Sequence, residues 1–420
     1  MTTDMFRKIE KCRVCGNVHY DVVLDLGDQH ISGVFPDEEG AAENVPKGPL
    51  RLVKCSVEHG GCGHVQLEHT FDLPTMYGDN YGYRSGLNSS MVKHLQGKAH
   101  KIKRQVDLKP DDIIVDIAGN DGTFLGFFED DYNRLIIDPT SEKFSEFIPS
   151  GVDYVADFFS KKIFKEKYGN RKAKIVTSFS MFYDLEDPCT FAREVSQILS
   201  KEGIWVLEQS YIGLMLKANS FDTVCHEHLS YYAMTQLKFI MEVSGLKIVD
   251  FEFNDVNGGS ISLSVARQDS QRSECTDRIN EILHQEKRQG LQTLVPWQNF
   301  ANEIKLRENE LLDFLKESLA PECTPMALGA STKGNVLLQT WTEVSDRIKY
   351  IGDVNPDKHG CYTPGTLIPI RDEDELLEQY DVFVILPWHF KQFFINNKKF
   401  NGKTLIFPLP ILDVVRVNVE

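Results

Sequence analysis

Apolar positions in this chain fall into short runs, many of them β-branched, spaced by stretches whose apolar residues recur at helical intervals. The clearest run, Ile113, Ile114 and Val115, ends in Asp116 and passes through Gly119, Asn120, Asp121 and Gly122 into Phe124 and Leu125. It predicts a strand, a tight turn and a helix start; the glycines let backbone approach a ligand, and the helix start offers it free N–H groups. Further strands are expected at 134–140, ending in Asp138, and at VDYVADFF, ending in Asp157 beside Phe158. Two more follow at 174–178, ending in Ser178, and at 203–208, with a helix over 188–199 between them. Segments 247–254 and 260–267, joined only by DVNGG, read as a closing hairpin.

Five strands alternating with crossovers, then a hairpin, is the strand plan of a class I methyltransferase; a dehydrogenase would reach a sixth strand through another helix. The residues agree. Asp138 lies about twenty residues beyond Asp116, where dinucleotide folds hold a ribose. A GxGxxG pattern is missing, and Asn120 and Asp121 stand where a pyrophosphate would sit. Crowded carboxylates suit a ligand with ribose, adenine and positive charge, S-adenosylmethionine, better than NAD. The candidate cofactor set is Asp116, Gly119, Asn120, Asp121, Gly122, Asp138, Asp157, Phe158 and Ser178.

Residues 271–318 carry Glu, Lys, Arg, Gln and Leu at helical spacing and read as a connector. Beyond Pro321 a second α/β unit begins, with strands expected at 326–329, 348–352, 382–386 and 404–407. Between its first strand and the following helix runs Gly-Ala-Ser331-Thr-Lys333-Gly-Asn335. Backbone amides plus one lysine there suit an anion such as a diphosphate, and a purely structural turn is the alternative. The ends of its strands add Asp353, Asn355, Lys358, Trp388 and His389.

At the other end, Cys12-x-x-Cys15 and the pair Cys55 and Cys62 fit a structural zinc site. The six-residue gap between Cys55 and Cys62 leaves open that His59 or His64 replaces a thiolate. The fold expected is thus α/β in three parts: a zinc-binding module at 1–75, an S-adenosylmethionine-binding methyltransferase domain at 76–268, and a helical connector with a second Rossmann-like domain at 269–420. A Gly-rich loop with Tyr77, Tyr81, Tyr83 and Arg84 leads into the second part; those side chains either line a substrate pocket or pack.

The most chemically loaded stretch is SFDTVCHEHLSYYAM. An extended backbone would set His226 and His228 on one face and Glu227 on the other. An imidazole beside a carboxylate is what general-base work near neutral pH requires. Metal binding by these histidines would need ligands that no neighbour in sequence clearly offers. Cys225 suits packing better than nucleophilic work.

A formal charge of −16 argues against a nucleic-acid or anionic-membrane surface. No apolar run approaches a membrane span, the start shows no apolar leader, and nine cysteines without one favour thiols or metal ligands, so a cytoplasmic location is expected.

Taken in order, the Cys pairs, VDIAGNDGTFL, SMFYDLEDP, EQSY, CHEHLSYY, NGGS, GASTKGN and D-x-N-x-x-K-x-G with PGT-x-IPI resemble the S-adenosylmethionine-dependent sugar C-methyltransferases. The resemblance covers nearly the whole chain. It implies methylation at C3 of a nucleotide-diphosphate-linked 4-keto-6-deoxysugar, for branched-sugar biosynthesis, with the nucleotide (dTDP or GDP) and the oligomeric state left open. It further implies His228 as general base, Glu227 as its partner, and Tyr81 or Tyr83 near the reacting sugar. His226 and the Asn257–Ser260 turn join the tyrosines as candidates to stabilise developing charge. Arg84, Asn257, Ser260, Ser331, Lys333, Asn335, Lys358, Trp388 and His389 form the candidate substrate set. Some members carry tyrosine where this chain has Cys225. The rivals are an O- or N-methyltransferase on the same donor fold, a non-catalytic zinc and sugar-nucleotide binder, and an NAD-dependent oxidoreductase.

Overall fold

The computed structural model describes residues 5–37, 45–71, 84–317, 319 and 324–418. The N-terminal segment folds as Phe6–Lys8 (β1), Tyr20–His30 (β2), Lys47–Cys55 (β3), Val65–Leu67 (β4) and His69–Phe71 (β5). β1 pairs with β5, while β2, β3 and β4 form an antiparallel sheet. That sheet takes its fourth strand, Ser230–Tyr231 (β11), from far along the chain, paired as Ser230 with Gln66 and Tyr231 with Val65. The residues that follow the HEH stretch are therefore bound into the N-terminal module.

The central sheet comprises Ile113–Ile117 (β6), Asn133–Ile137 (β7), Val152–Val155 (β8), Ala173–Phe179 (β9), Leu199–Ser210 (β10), Leu246–Asn254 (β12) and Ser260–Arg267 (β13). Its order is β12-β13-β10-β9-β6-β7-β8, and β13 runs antiparallel to both neighbours. Strand alternation decides which residues meet. Ile114, Ile136, Ile175 and Ile204 pack on one face with Leu95, Ala99 and Ile102 of the helix Ser89–Gln105, whose N-cap is Asn88. Val115, Leu135, Val176 and Trp205 face the opposite core.

One expectation fails here. The helix start predicted after Gly122 is a single 3-10 turn, Leu125–Phe127. Ala118, Asn120 and Gly122 all hold positive φ (57°, 53° and 75°), so the segment up to Gly122 stays outside the right-handed helical region. The loop's ligand-facing character rests on that backbone and not on a helix N-terminus.

Helices Thr276–Arg288 and Val295–Glu317 lead to the last sheet. It contains Met326–Leu328 (β14), Ile351–Asp353 (β15), Ile370–Asp372 (β16), Val382–Ile385 (β17), Thr404–Phe407 (β18) and Asp413–Arg416 (β19), in the order β16-β15-β14-β17-β18-β19. All pairings are parallel except that of β19. β16 and β19 escape the sequence reading because short edge strands with charged ends carry little apolar pattern. Among the described residues no helix is long and apolar enough to cross a membrane.

Candidate active site

The four cysteines come together. Cys12 and Cys62 sulfurs are 3.8 Å apart, those of Cys15 and Cys55 3.5 Å, and all four lie within 4.8 Å of one another. Neither histidine competes for a place. His59 Nδ1 pairs with Ser56 Oγ at 3.1 Å, and His64 is buried with Nε2 on Ser230 Oγ at 3.1 Å. At Gly61 a Cβ would come within 2.4 Å of the Cys55 sulfur, so the cradle needs bare backbone there. Four thiol sulfurs at this spacing fit tetrahedral zinc.

Above the C-terminal ends of β6, β7 and β9 opens a cavity of about 320 Å³. Its lining includes Asp116, Gly119, Asn120, Asp138 and Phe158 from the predicted set. Asp138 accepts from the Asn120 N–H at 2.8 Å and from Thr140 N–H and hydroxyl at 2.7 and 2.6 Å, which ties the ends of β6 and β7 together. Gly119 lies so close to Asp116 that a Cβ would sit 2.9 Å from its carboxylate.

Other predicted residues stand outside this lining. Asp121 accepts from Gly86 N–H at 2.8 Å and from Thr123, and so anchors the loop that enters the helix at Ser89. Gly122 packs toward Pro149 and Ile136, exposed Asp157 accepts from Phe158 N–H at 2.7 Å, and Ser178 is buried under the Trp205 indole N–H at 2.9 Å. Ser178 points into the core because its β9 neighbours alternate; the polar end of that strand lies further on. Ser180, Met181, Asp184, Leu185 and Glu186 line the cavity instead, and the sequence reading passed over them. A signal existed in SMFYDLED, a polar stretch directly after a strand end.

Asp116 is buried, and burial pushes its pKa up to about 7, aided by Asp138 and Asp121 and opposed by the Thr177 hydroxyl at 2.6 Å. A cationic ligand favours the ionised form, so binding lowers that pKa and releases a proton when the free protein holds one. S-adenosylmethionine affinity is therefore expected to rise with pH up to about 7, by at most about tenfold per unit, and to level off above. Calorimetry in buffers of different ionisation enthalpy should register proton release near pH 6 and little at pH 8.5.

The HEH stretch is not extended. Cys225 O accepts from His228 N–H at 3.1 Å, closing a tight turn that sends the two imidazoles apart. His226, 1% exposed, stacks edge-on against Phe71 at 4.5 Å with Nε2 on Gly48 O at 3.3 Å, and burial lowers its pKa to about 4. It holds the N-terminal module and is no candidate to stabilise charge on a substrate. His228 packs on Tyr183 at 4.2 Å, with Nδ1 2.7 Å from Thr223 O. A carbonyl only accepts, so the proton sits on Nδ1 and Nε2 keeps its lone pair. Burial, then the Lys333 charge, lowers the His228 pKa to about 3, while burial raises that of Glu227 to about 7.

Around this turn all three parts of the chain meet. Ser331 caps the helix Thr332–Thr340 by accepting from Gly334 N–H, and Lys333 Nζ donates to Asn257 O. The Asn257 amide donates to Ser180 Oγ at 3.2 Å, linking the donor cavity to the second lobe. Asn335 Nδ2 donates to Ser32 O at 2.7 Å, and Gly33 faces the Glu227 carboxylate. Trp388 Nε1 donates to buried Asp222 at 2.9 Å, and His389 stands beside Trp388, its pKa lowered by burial and then by the Lys333 charge. Asn335 Oδ1, Asp222 Oδ1, Thr223 Oγ1 and His389 Nδ1 are buried with no hydrogen-bond partner among the described residues, as a site shaped for a polar ligand would leave them.

The three remaining substrate candidates among the described residues have partners of their own, Lys358 on the loop that carries Ser331 and Lys333. Ser260 is buried with its hydroxyl on Val256 O at 2.8 Å. Lys358 donates to Ala330 O at 2.6 Å over the Phe35 ring. Arg84 stacks on Phe147 at 3.7 Å, with Nε 4.0 Å from Asp121 of the donor loop. Tyr81 and Tyr83 lie outside the described residues.

The central sheet, its cavity and the acidic lining define an S-adenosylmethionine-dependent methyltransferase. Family models agree along the chain, matching a zinc binding domain at residues 12–77, a methyltransferase domain at 91–250 and a C-methyltransferase C-terminal domain at 255–410. The three matches follow one another along the chain in the order zinc binding, methyltransferase and C-methyltransferase C-terminal domain. It is similar to the C-methyltransferase NovU of Streptomyces niveus, 27% identical over 415 residues that make up 97% of either chain. Among solved structures it aligns with an S-adenosylmethionine-dependent methyltransferase from Clostridium acetobutylicum (13% identity, 42% of this chain and 92% of that one, TM-score 0.30). A second alignment is with the N-methyltransferase NodS from Bradyrhizobium japonicum (11%, 43% and 98%, 0.31).

Proposed function

We propose that the enzyme methylates C3 of a nucleotide-diphosphate-linked 4-keto-6-deoxysugar, acting in the cytoplasm, with His228 as the base that removes the C3 proton. The observation that carries this reading is the position of His228. Its ring lies on Tyr183, between donor-cavity residues Met181 and Asp184, and it feels the Lys333 charge from the loop of the second lobe. A substrate with its sugar at the imidazole and its phosphates at Lys333 would reach across that distance.

A ketone at C4 acidifies the proton at C3, and a positioned imidazole with a free Nε2 lone pair can remove it. Thr223 O holds the proton on Nδ1 and fixes the ring's orientation. Lys333 and the amides at the start of its helix supply positive potential for a diphosphate. S-adenosylmethionine, when bound in the acidic cavity, supplies the electrophilic methyl group. Asp116 and Asp138 offer acceptors for its ammonium and hydroxyl groups, and Phe158 and Phe179 offer apolar walls. The zinc cluster lies in the N-terminal module and gives the chemistry its frame, not a reagent.

Mass spectrometry tests this directly. Incubation with S-adenosylmethionine and a panel of dTDP- and GDP-linked 4-keto-6-deoxysugars should add one methyl mass to one member, on carbon. Methyl on oxygen or nitrogen, or none on any member despite donor binding, would overturn the reading.

A further inference from the structure

The turn that separates the two histidines also builds a cluster that the sequence does not show. Cys225 Sγ, a Glu227 carboxylate oxygen and a His228 ring nitrogen lie within 4.8 Å of one another, with Sγ 3.9 Å from Glu227 Oε2. Positions 225, 227 and 228 face one side because the 225–228 turn folds back on itself. The set joins a soft thiol, a borderline imidazole and a hard carboxylate, the donor types that zinc-like ions accept.

Two further features suit a metal. The His228 Nδ1–H bond to Thr223 O is the outer hydrogen bond that metal-binding imidazoles use, and it leaves Nε2 to coordinate. Glu227 lies against the Gly33 backbone, where a Cβ would come within 2.8 Å of its oxygen, so the absence of a side chain at Gly33 leaves the carboxylate its place beside Cys225 and His228. At zinc bond lengths of roughly 2.0–2.3 Å the three donors need to draw together by about 1 Å, within reach of side-chain rotation.

We propose that Cys225, Glu227 and His228 form an inhibitory site for a thiophilic divalent cation of the zinc type, distinct from the four-cysteine cluster. It rests on the reading of His228 as base: the cation takes the Nε2 lone pair that proton abstraction needs. Coordination displaces the thiol proton of Cys225 to solvent and forms the metal–sulfur bond without any change of oxidation state. Lys333 opposes a cation here, and Asp184 and Asp222 offset it. The fourth position stays open.

Cobalt(II) tests the site without turnover. Titrated into the zinc-loaded enzyme, one added equivalent should give the near-ultraviolet thiolate-to-cobalt absorption and be displaced by Zn²⁺. Cys225→Ser and Cys225→Ala should lose that band while keeping basal turnover, and His228→Ala should lose it or shift it. In activity assays Zn²⁺ should inhibit the wild type reversibly, with recovery on mild chelation, and at least a tenfold higher concentration should be needed for the Cys225 variants. Absence of the band in the wild type, its persistence in both Cys225 variants, or equal sensitivity of wild type and variants to Zn²⁺ would overturn the site. A band that appears with inhibition but persists in His228→Ala would retain a metal site and remove the base from it, overturning the proposal as stated. Because the absorbance needs no substrate, a wrong sugar assignment does not imitate any of these results.

Discussion

Replacing His228 with alanine is expected to lower turnover by about 10²–10⁴-fold, the range a positioned general base supplies, and to leave S-adenosylmethionine affinity within about twofold. The separation follows from geometry. His228 lies on Tyr183 outside the donor cavity, and none of the cavity's lining belongs to the HEH turn. The wild type should also catalyse solvent deuterium entry at C3 of the sugar without the donor, and the variant should not. A variant that exchanges deuterium at the wild-type rate, or keeps more than a tenth of wild-type turnover, would remove His228 from the base role. Removal of the ring leaves a gap against Tyr183, so the melting temperature must be followed beside activity.

Stripping zinc should have the largest effect on stability. A structural site of this type contributes roughly 10 kcal/mol or more to the module that holds it. The damage should reach the HEH turn. Arg13, one residue after Cys12, donates to Leu67 O at 2.8 Å and to Leu229 O at 3.4 Å; Gln236 Nε2 donates to Cys62 O at 2.7 Å; Leu67 N–H donates to Leu229 O at 2.9 Å. Chelation, or Cys12→Ser, is therefore expected to abolish methyl transfer with an early unfolding transition, while the central sheet still binds the donor. Full activity at less than a tenth of an equivalent of zinc would contradict this.

The residues differ in how much they disclosed. β6, β9, β13 and β18 are legible because buried parallel or closing strands are rich in apolar and β-branched residues, although β6 runs on through Asp116 to Ile117 and β9 one residue past Ser178 to Phe179. The four cysteines are legible because thiolate pairs have few other uses. Local pattern could not give the path of 225–228, since whether a polar stretch extends or turns depends on what surrounds it. Here Gly48, Phe71 and Thr223 decide, and Gly48 and Phe71 are distant in sequence. Ser178 and Ser180 differ by two positions, yet one supports an indole and the other lines the cavity, because the strand ends between them at Phe179. The pairing of β11 with β4 had no sequence signal, being two residues long and more than 160 residues from its partner.

The Lys333 ammonium has a consequence for substrate choice. Burial first, and the Lys333 charge second, lower the proton affinity of His228. A diphosphate seated at that ammonium would offset its field and remove the smaller of the two causes, while burial would remain. If His228 is the base, a ketone that fits the same space but brings no phosphate is expected to lose its proton more slowly than one that carries a diphosphate to Lys333.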